Sequence, residues 1–253
     1  MKPFSLAKPI SVVSALLVAA NVSFAQTGGP GSPAGVDALL AALFGNVKAF
    51  SSKCDTRMLD GDQKETMSVT MDFALLDGKI RAEVDLTQMK AKDMPPGAVE
   101  MMKQAGMDLV ISIVRPDKTN QIIVYPNLKS CLTMPLPKEQ IEALAKGPKV
   151  ERTELGKETM DGHPCVKNKA VVADTTGKAH EFIVWNATDL KDFPVQIQTT
   201  EGDMTTVMLF KQIRLSKPDA AKFEVPSDYK HYDDMQSFMQ ATMARMTGDS
   251  GAK

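Results

Sequence analysis

A two-residue alternation of apolar and polar side chains begins near residue 48 and constrains the fold of this chain more than any other feature. Its clearest example is the segment 64–76, whose alternate apolar positions are Met67, Val69, Met71, Phe73 and Leu75. Successive side chains of a strand point to opposite faces, so this period predicts a strand with one buried face. Asp77-Gly78 then predicts a hairpin turn into a second alternating strand, residues 79–86.

Eight further segments have strand-like patterns at hairpin spacing: 107–115, 119–126, 128–134, 150–158, 164–173, 179–186, 193–200 and 203–215. Connections this short favour an antiparallel meander, because parallel neighbours need longer crossovers. Three helices are predicted as insertions, at 95–105, 137–146 and 233–246, and a short helix is predicted to begin at Asp37. The pattern therefore predicts a mainly β fold with some α (α+β), in which a curved antiparallel sheet has a covered concave face.

The first 25 residues indicate export. Lys2 and Lys8 precede an apolar stretch, residues 10–22, that is too short for a permanent membrane span. Ser23 and Ala25 are small residues at the positions that signal peptidase requires, so cleavage is predicted after Ala25. The mature protein is expected outside the cytoplasm, with no transmembrane segment. Residues 26–36 are predicted to be a flexible leader, 37–246 one domain, and 247–253 a disordered tail.

Charge and motif content argue against several classes of protein. The chain has 30 Lys and Arg against 31 Asp and Glu, whereas nucleic-acid binders normally have a basic excess. Its 3 His are far apart, and the sequence contains no G-x-S-x-G, phosphate-binding or dinucleotide-binding motif. We therefore expect a protein that is not an enzyme, that uses no cofactor or metal centre, and that binds no nucleic acid.

Three segments resemble motifs of periplasmic LolA-like proteins, the outer-membrane lipoprotein-sorting group, and most closely its uncharacterised branch. Residues 156–165 (GKETMDGHPC) resemble a G-x-E-x-x-x-G-h-x-C hairpin, residues 185–195 a W-x-A-x-x-L…P-v strand pair, and residues 218–229 a closing F-x-v-P-x-x-y motif. The resemblance implies a periplasmic location and a half-open β-barrel whose mouth is covered by helical lid insertions. In the better-known members, the cavity carries lipoprotein acyl chains.

The expected function is therefore non-enzymatic binding of an apolar or lipid-like ligand, or of lipoprotein acyl chains, between sheet and helices. The alternative is a structural or interaction protein of the cell envelope that has a filled core and no ligand.

Methionine is unusually abundant, with 17 residues in 253. Met235, Met239, Met243 and Met246 form a stripe on the last predicted helix, with Phe238 and Thr242 on its flank. Such residues can fill gaps in a core, line a pliable cavity for a lipid-like ligand, or capture Cu(I) through their thioethers. The candidate cavity and lid residues are Met67, Met71, Phe73, Met102, Trp185, Met235, Met239 and Met243.

Cys54, Cys131 and Cys165 allow three single pairings, each of which leaves one thiol over. An oxidising compartment favours one disulfide. Cys131–Cys165 is the preferred pair, because the intervening helix and strand could return the chain to the same place.

Overall fold

The computed structural model describes residues 39–147, 149–174 and 176–246. The predicted signal peptide (1–25), leader (26–36) and tail (247–253) lie outside the described residues. The strands are β1 (Ala49–Leu59), β2 (Glu65–Leu76), β3 (Lys79–Asp85), β4 (Lys90–Ala91), β5 (Leu109–Arg115), β6 (Asn120–Tyr125), β7 (Ser130–Pro135), β8 (Val150–Met160), β9 (His163–Ala173), β10 (Ala179–Ala187), β11 (Phe193–Glu201), β12 (Met204–Arg214) and β13 (Lys230–Tyr232). The helices are α1 (described over 39–43), α2 (Ala98–Gln104), α3 (Lys138–Lys146) and α4 (Met235–Met246).

The strands form one open, curved sheet in the order β13-β7-β6-β5-β3-β2-β1-β12-β11-β10-β9-β8, with β4 paired to β2. Neighbouring strands in this order are antiparallel, except that β13 runs parallel to β7. The first strand, β1, therefore lies in the middle of the sheet, between β2 and β12. This arrangement confirms the predicted fold class, an antiparallel curved sheet with helical insertions.

The register defines two faces of the sheet. We call the inner face the one that bears Phe73, which is the direct partner of Ala82 on β3. The apolar side of α1 covers the centre of this face, and α3 packs against the same cluster of side chains. Helix α4 covers the inner face of β6 and β7 through Phe238, which packs with Tyr125 and Leu132. Helices α1, α3 and α4 thus cover the same side of the sheet.

Five phenylalanine side chains fill the centre of the inner face. The ring of Phe44, which follows α1, lies 4.7 Å from Phe50, 5.5 Å from Phe193 and from Phe210, and 6.1 Å from Phe73, measured between centroids. Tilted and edge-to-face contacts at these distances are favourable for aromatic pairs. This cluster joins α1 to four strands of the sheet.

The outer face of β5, β6 and β7 is covered by residues 216–229, which we call the strap. This segment connects β12, in the middle of the sheet, to β13 at its edge. Phe223 of the strap is fully buried against Ile113, Ile122 and Cys131. The guanidinium of the buried Arg115 donates to the carbonyl oxygen of Phe223 at 2.9 Å. The strap is therefore held by an apolar side chain and by a buried cation.

Candidate functional site

A row of five paired side chains crosses the inner face between the covering helices. In this row Phe73, Ala82, Ser112, Ile123 and Leu132 are direct partners on five adjacent strands. Phe73 and Leu132 are buried, whereas the three residues between them are only half-buried. The inner face is thus open to solvent at Ala82, Ser112 and Ile123, although it is closed on both sides of them.

Val110 belongs to the same opening. It is the direct partner of Val84 on β3, and it lies on the inner face two residues before Ser112. Its half-buried side chain packs against both inner-face clusters, the one around Phe44 and the one around Phe238. We call the surface formed by Ala82, Val110, Ser112 and Ile123 the trough.

Two packed walls border the trough. The first wall is the phenylalanine cluster under α1, which also contains Met71 and Met102. The second wall is built on α4, where the ring of Phe238 stacks on Tyr125 at 4.7 Å and meets Tyr232 edge-on at 5.5 Å. Burial of the hydroxyl raises the pKa of Tyr125 to about 12, so this phenol stays neutral at physiological pH. The clusters that form both walls consist of apolar and aromatic side chains.

The floor of the trough contains one polar pair. Gln121 Nε2 donates to Ser112 Oγ at 3.1 Å. The serine hydroxyl acts here as an acceptor, and its own hydrogen remains able to donate to a third group. Within residues 39–147, 149–174 and 176–246, no group of three or more His, Cys, Asp or Glu could hold a metal ion. These residues therefore offer a ligand in the trough apolar contacts and one hydroxyl group.

The structure separates the predicted methionine candidates. Met71 and Met102 are buried in the first wall, and Met67 lies half-buried further along the inner face of β2. On α4, Met235 and Met239 are half-buried against the second wall, whereas Met243 is 38% exposed. The helix turns Phe238 and Thr242 toward the sheet, so these two residues form its buried face. The methionine stripe lies beside that face.

Trp185 is 5% exposed and belongs to the main apolar cluster, although its position on β10 faces away from the trough. Direct partners on neighbouring strands share a face, and the register relates Trp185 to Gln196, Gln196 to Leu209, and Leu209 to Asp55. Asp55 and its neighbour Cys54 point to opposite faces, and Cys54 is the inner-face partner of Met71. The indole Nε1 of Trp185 donates to a carboxylate oxygen of Glu158 at 2.9 Å, and Lys167 Nζ lies 5.0 Å from the ring centroid.

The predicted Cys131–Cys165 disulfide is not formed, and all three cysteines are buried free thiols. The reason is the strand order, in which β7 and β9 are each one place from opposite edges of the sheet. Cys131 packs under Phe223 of the strap, and its Sγ lies 3.2 Å from His231 Nδ1. Cys54 lies on the inner face, where burial raises the pKa of its thiol to about 12.

The sequence analysis did not identify Ala82, Val110 or Ser112. Their signal is weak because it consists of small or medium side chains at inward positions of two successive strands. Nothing marks such positions until the strands are known to be neighbours. Of the predicted candidates, Phe73 lies in the trough row, and Met71, Met102, Met235 and Met239 lie in its walls.

Among the helices of the described residues, none is long and apolar enough to cross a membrane.

No protein-family model matches this chain, and no curated protein sequence matches it. Solved structures of similar fold include the lipoprotein LppX of Mycobacterium tuberculosis, which is 13% identical over 76% of this chain and 96% of that chain, with a TM-score of 0.41. A LolA superfamily protein from Nitrosomonas europaea is 10% identical over 76% of this chain and 97% of its own, with a TM-score of 0.39. LprF of Mycobacterium bovis is 10% identical over 77% and 94%, also with a TM-score of 0.39.

Proposed function

We propose that this protein binds the apolar chain of a lipid-like molecule in the trough, without catalysis. The observation that carries the proposal is a break between two packed clusters of the inner face. Ala82, Ser112 and Ile123 are half-buried, while the clusters on both sides of them are fully packed. The small side chains of Ala82 and Ser112, between the larger side chains of the two clusters, leave a furrow, and an extended alkyl chain has the shape of such a furrow.

The free energy of binding would come from removing apolar surface from water. Each CH₂ group that enters an apolar site contributes about 0.8 kcal/mol. The side chains of Val110 and Ile123 offer apolar contacts along the trough, and the methionines in the walls can adjust to chains of different shape. The hydroxyl of Ser112 can donate to an ester or carboxyl oxygen where the alkyl chain ends. These features suit a carrier with broad specificity for acyl chains.

Residues 1–25 have the pattern of a signal peptide, and we therefore propose that binding takes place in the periplasm. The acyl chain could belong to a free lipid or to the lipid anchor of a lipoprotein. Both sources present the same alkyl chemistry to the trough.

The experiment is a titration of the purified protein with a fluorescent fatty acid, followed by displacement of the probe. A free fatty acid is one displacing arm, and a diacylated lipopeptide is the other. In the variant Ser112→Phe, a large side chain fills the trough. We expect this variant to bind the probe at least about tenfold more weakly, which corresponds to about 1.4 kcal/mol. Thr206→Phe is the matched control, because Thr206 is also half-buried on the inner face, but on β12.

Thermal unfolding of both variants checks that they fold. Ser112→Ala, which keeps the furrow open, should retain binding and thus protects the test against a misfolded Ser112→Phe protein. The proposal fails if the wild-type protein does not bind the probe, or if the Thr206→Phe and Ser112→Phe variants lose binding equally.

A second candidate is an interaction protein of the cell envelope with a filled core. The five phenylalanines around Phe44 favour it, because they already occupy the centre of the inner face. Native mass spectrometry of the protein purified from the periplasm distinguishes the two candidates. A bound lipid supports the carrier, whereas a ligand-free protein that cross-links to one defined partner in cells supports the interaction protein.

A further inference from the structure

Strand β8 lies at one end of the sheet, where its single partner strand is β9. It has 11 residues, whereas β13 at the opposite edge has 3. In the part of the chain that the structure describes, no strand pairs with the free edge of β8, and the side chains of 151–155 and 157–159 are exposed. A free edge presents backbone N–H and C=O groups that can pair with another strand. The long edge of β8 is therefore a surface on which the sheet can be extended.

A β-bulge in β8 brings two opposite charges to the same face of the strand. Glu154 pairs with Asn168 on β9. Lys157, three residues later, pairs with Val166, which is only two residues from Asn168 and shares its face. Leu155 is the extra residue of the bulge. In a regular strand, a spacing of three residues would place the two charges on opposite faces.

The middle of β8 is not neutralised from within the chain. Within residues 39–147, 149–174 and 176–246, neither Glu154 nor Lys157 forms an ion pair, whereas the nearby Glu158 is paired with Lys167 at 2.9 Å. Leu155 is 52% exposed, more than any other large apolar side chain of the described residues. An anion, a cation and an apolar side chain thus stand unmatched along one short stretch of the edge.

A second copy of β8 matches this stretch, because two copies of one strand can pair antiparallel about a two-fold axis. With the axis just after Leu155, Glu154 of each copy lies directly opposite Lys157 of the other. Opposite charges in direct cross-strand opposition stabilise a strand pair. The two Leu155 side chains flank the axis, and each faces Gly156 of the other copy, which has no side chain to obstruct it.

The charges of β8 also select this register over its neighbours. An axis one residue nearer to the N-terminus would oppose Arg152 to Lys157, which are both cations. It would also oppose Glu151 to Glu158, which are both anions, and like charges in direct opposition destabilise a strand pair. An axis one residue nearer to the C-terminus would leave Lys157 opposite Gly156. Neither alternative opposes Lys157 to an anion.

We propose that two copies of this chain form a symmetric dimer in which their β8 strands pair antiparallel about the axis after Leu155. The backbone groups of the two free edges bind each other, so the two sheets become one. Addition of a strand to an open edge is a recognised mode of association. The two Glu154–Lys157 ion pairs and the contact between the Leu155 side chains set the register. The trough lies on β3, β5 and β6, so the interface does not include it.

The experiment is sedimentation velocity of the purified protein at increasing concentration, and the expected result is a reversible monomer–dimer equilibrium. Glu154→Lys and Lys157→Glu each oppose like charges twice, so in either variant the dissociation constant should rise at least about tenfold. The double variant Glu154→Lys/Lys157→Glu opposes unlike charges again, and it should dimerise as the wild type does. Glu100→Lys and Lys103→Glu are the matched controls, because these residues are also three positions apart but exposed on α2.

A mixture of the two single variants gives an independent readout. Glu154→Lys and Lys157→Glu proteins oppose unlike charges when they pair with each other, so native mass spectrometry with one variant isotopically labelled should show mainly the heterodimer. Together with the double variant, this result also shows that each single variant is folded. Hydrogen exchange should show that the β8 amides become protected as the concentration rises.

Three outcomes overturn the proposal. One is a wild-type protein that stays monomeric at about 100 μM, which would leave the edge of β8 to a strand of another protein. Another is a dimer that the Glu154→Lys and Lys157→Glu variants form as tightly as the wild type does. The third is a dimer that the α2 controls weaken equally.

Discussion

Arg115 Nη1 and Glu224 Oε1 lie 2.6 Å apart, although 109 residues separate them in the sequence. The arginine side chain is 3% exposed, and it also forms two parallel hydrogen bonds with the carboxylate of Asp117, at 2.9 and 2.8 Å. It thus ties the end of β5 to the strap. Because both carboxylates remain about half exposed, their charges keep much of their hydration while the cation is paired.

Replacement of Arg115 tests how much the strap depends on this cation. We expect Arg115→Leu to lower the free energy of unfolding by about 1.5–3 kcal/mol, the usual range for hydrogen bonds to charged groups. The cost stays below that of breaking a fully buried ion pair, because Asp117 and Glu224 can rehydrate. Denaturant unfolding measures the change. Arg115→Lys keeps the charge but lacks the planar guanidinium with its two parallel donors. An equal loss of stability in both variants would contradict a role for the bidentate geometry.

Acid should weaken the strap. Hydrogen bonds from Lys118 and Arg115 hold the pKa of Glu224 below its ordinary value of 4.5. A group whose folded pKa is lowered stabilises the folded state fully above its unfolded pKa, and the stabilisation is lost as the pH falls through the folded pKa. Unfolding measured from pH 7 downward should therefore show that the free energy of unfolding falls below about pH 4.5, and that it falls less in Glu224→Gln than in the wild type. Glu100→Gln, at an exposed position of α2, is the charge control, and an identical loss in Glu224→Gln and wild type would contradict the prediction.

Removing the ring of Phe44 should open a cavity at the centre of the inner face. This ring contacts four others, and a Phe→Ala change at such a site costs about 3–5 kcal/mol. Phe44→Leu retains most of the volume, so it should cost clearly less. Chemical denaturation of both variants provides the comparison. Similar losses in the two would mean that α1 is not held by this packing.

Gly106, which follows α2, should resist substitution more than Gly45. Both residues have positive φ angles, +68° and +57°, so alanine strains the backbone at either position. A Cβ at Gly106 would also approach Leu128 Cδ2 to 2.9 Å, whereas a Cβ at Gly45 has no neighbour within 4 Å. We expect Gly45→Ala to lower stability by about 1–2 kcal/mol and Gly106→Ala by more. Thermal unfolding tests this order, which equal shifts would refute.

Trp185 should not report on the trough. It is the single tryptophan, and it lies beside Glu158 and Lys167 on β10, with four strands between β10 and the trough strand β3. Saturation with an unlabelled fatty acid should therefore leave its emission maximum unchanged, whereas Glu158→Ala should shift it by removing the indole hydrogen-bond acceptor. A shift caused by the fatty acid would mean that the ligand binds outside the trough or changes the sheet as a whole.

Local patterns were sufficient to predict most of the strands. The hairpin predicted at 64–76 and 79–86 agrees with β2 and β3 to within one residue at each end. Alternation succeeds there because one face of each strand is buried along most of its length. No strand segments were assigned for β1, β4 or β13. The three-residue β13 has no local signal, because its parallel pairing with β7 depends on where the strap ends.

Choices that depend on strand order could not be made from the sequence. The Cys131–Cys165 pairing required β7 and β9 to be close, and they lie near opposite edges. On α4, the methionine stripe and the pair Phe238 and Thr242 share the same four-residue spacing, so periodicity alone cannot decide which of them faces the sheet. The trough arises from register between strands, which no single segment of the chain contains.

The position of β1 determines when the domain can be completed. β1 ends at Leu59, but the synthesis of its partner β12 begins only at Met204. Until β12 is synthesised, one backbone edge of β1 has no partner and Phe50 lacks its contact with Phe210. Pairing over such a separation is slow and leaves the open edge prone to aggregation. The open edge of β1 in a nascent chain must therefore remain protected until the residues of β12 have emerged.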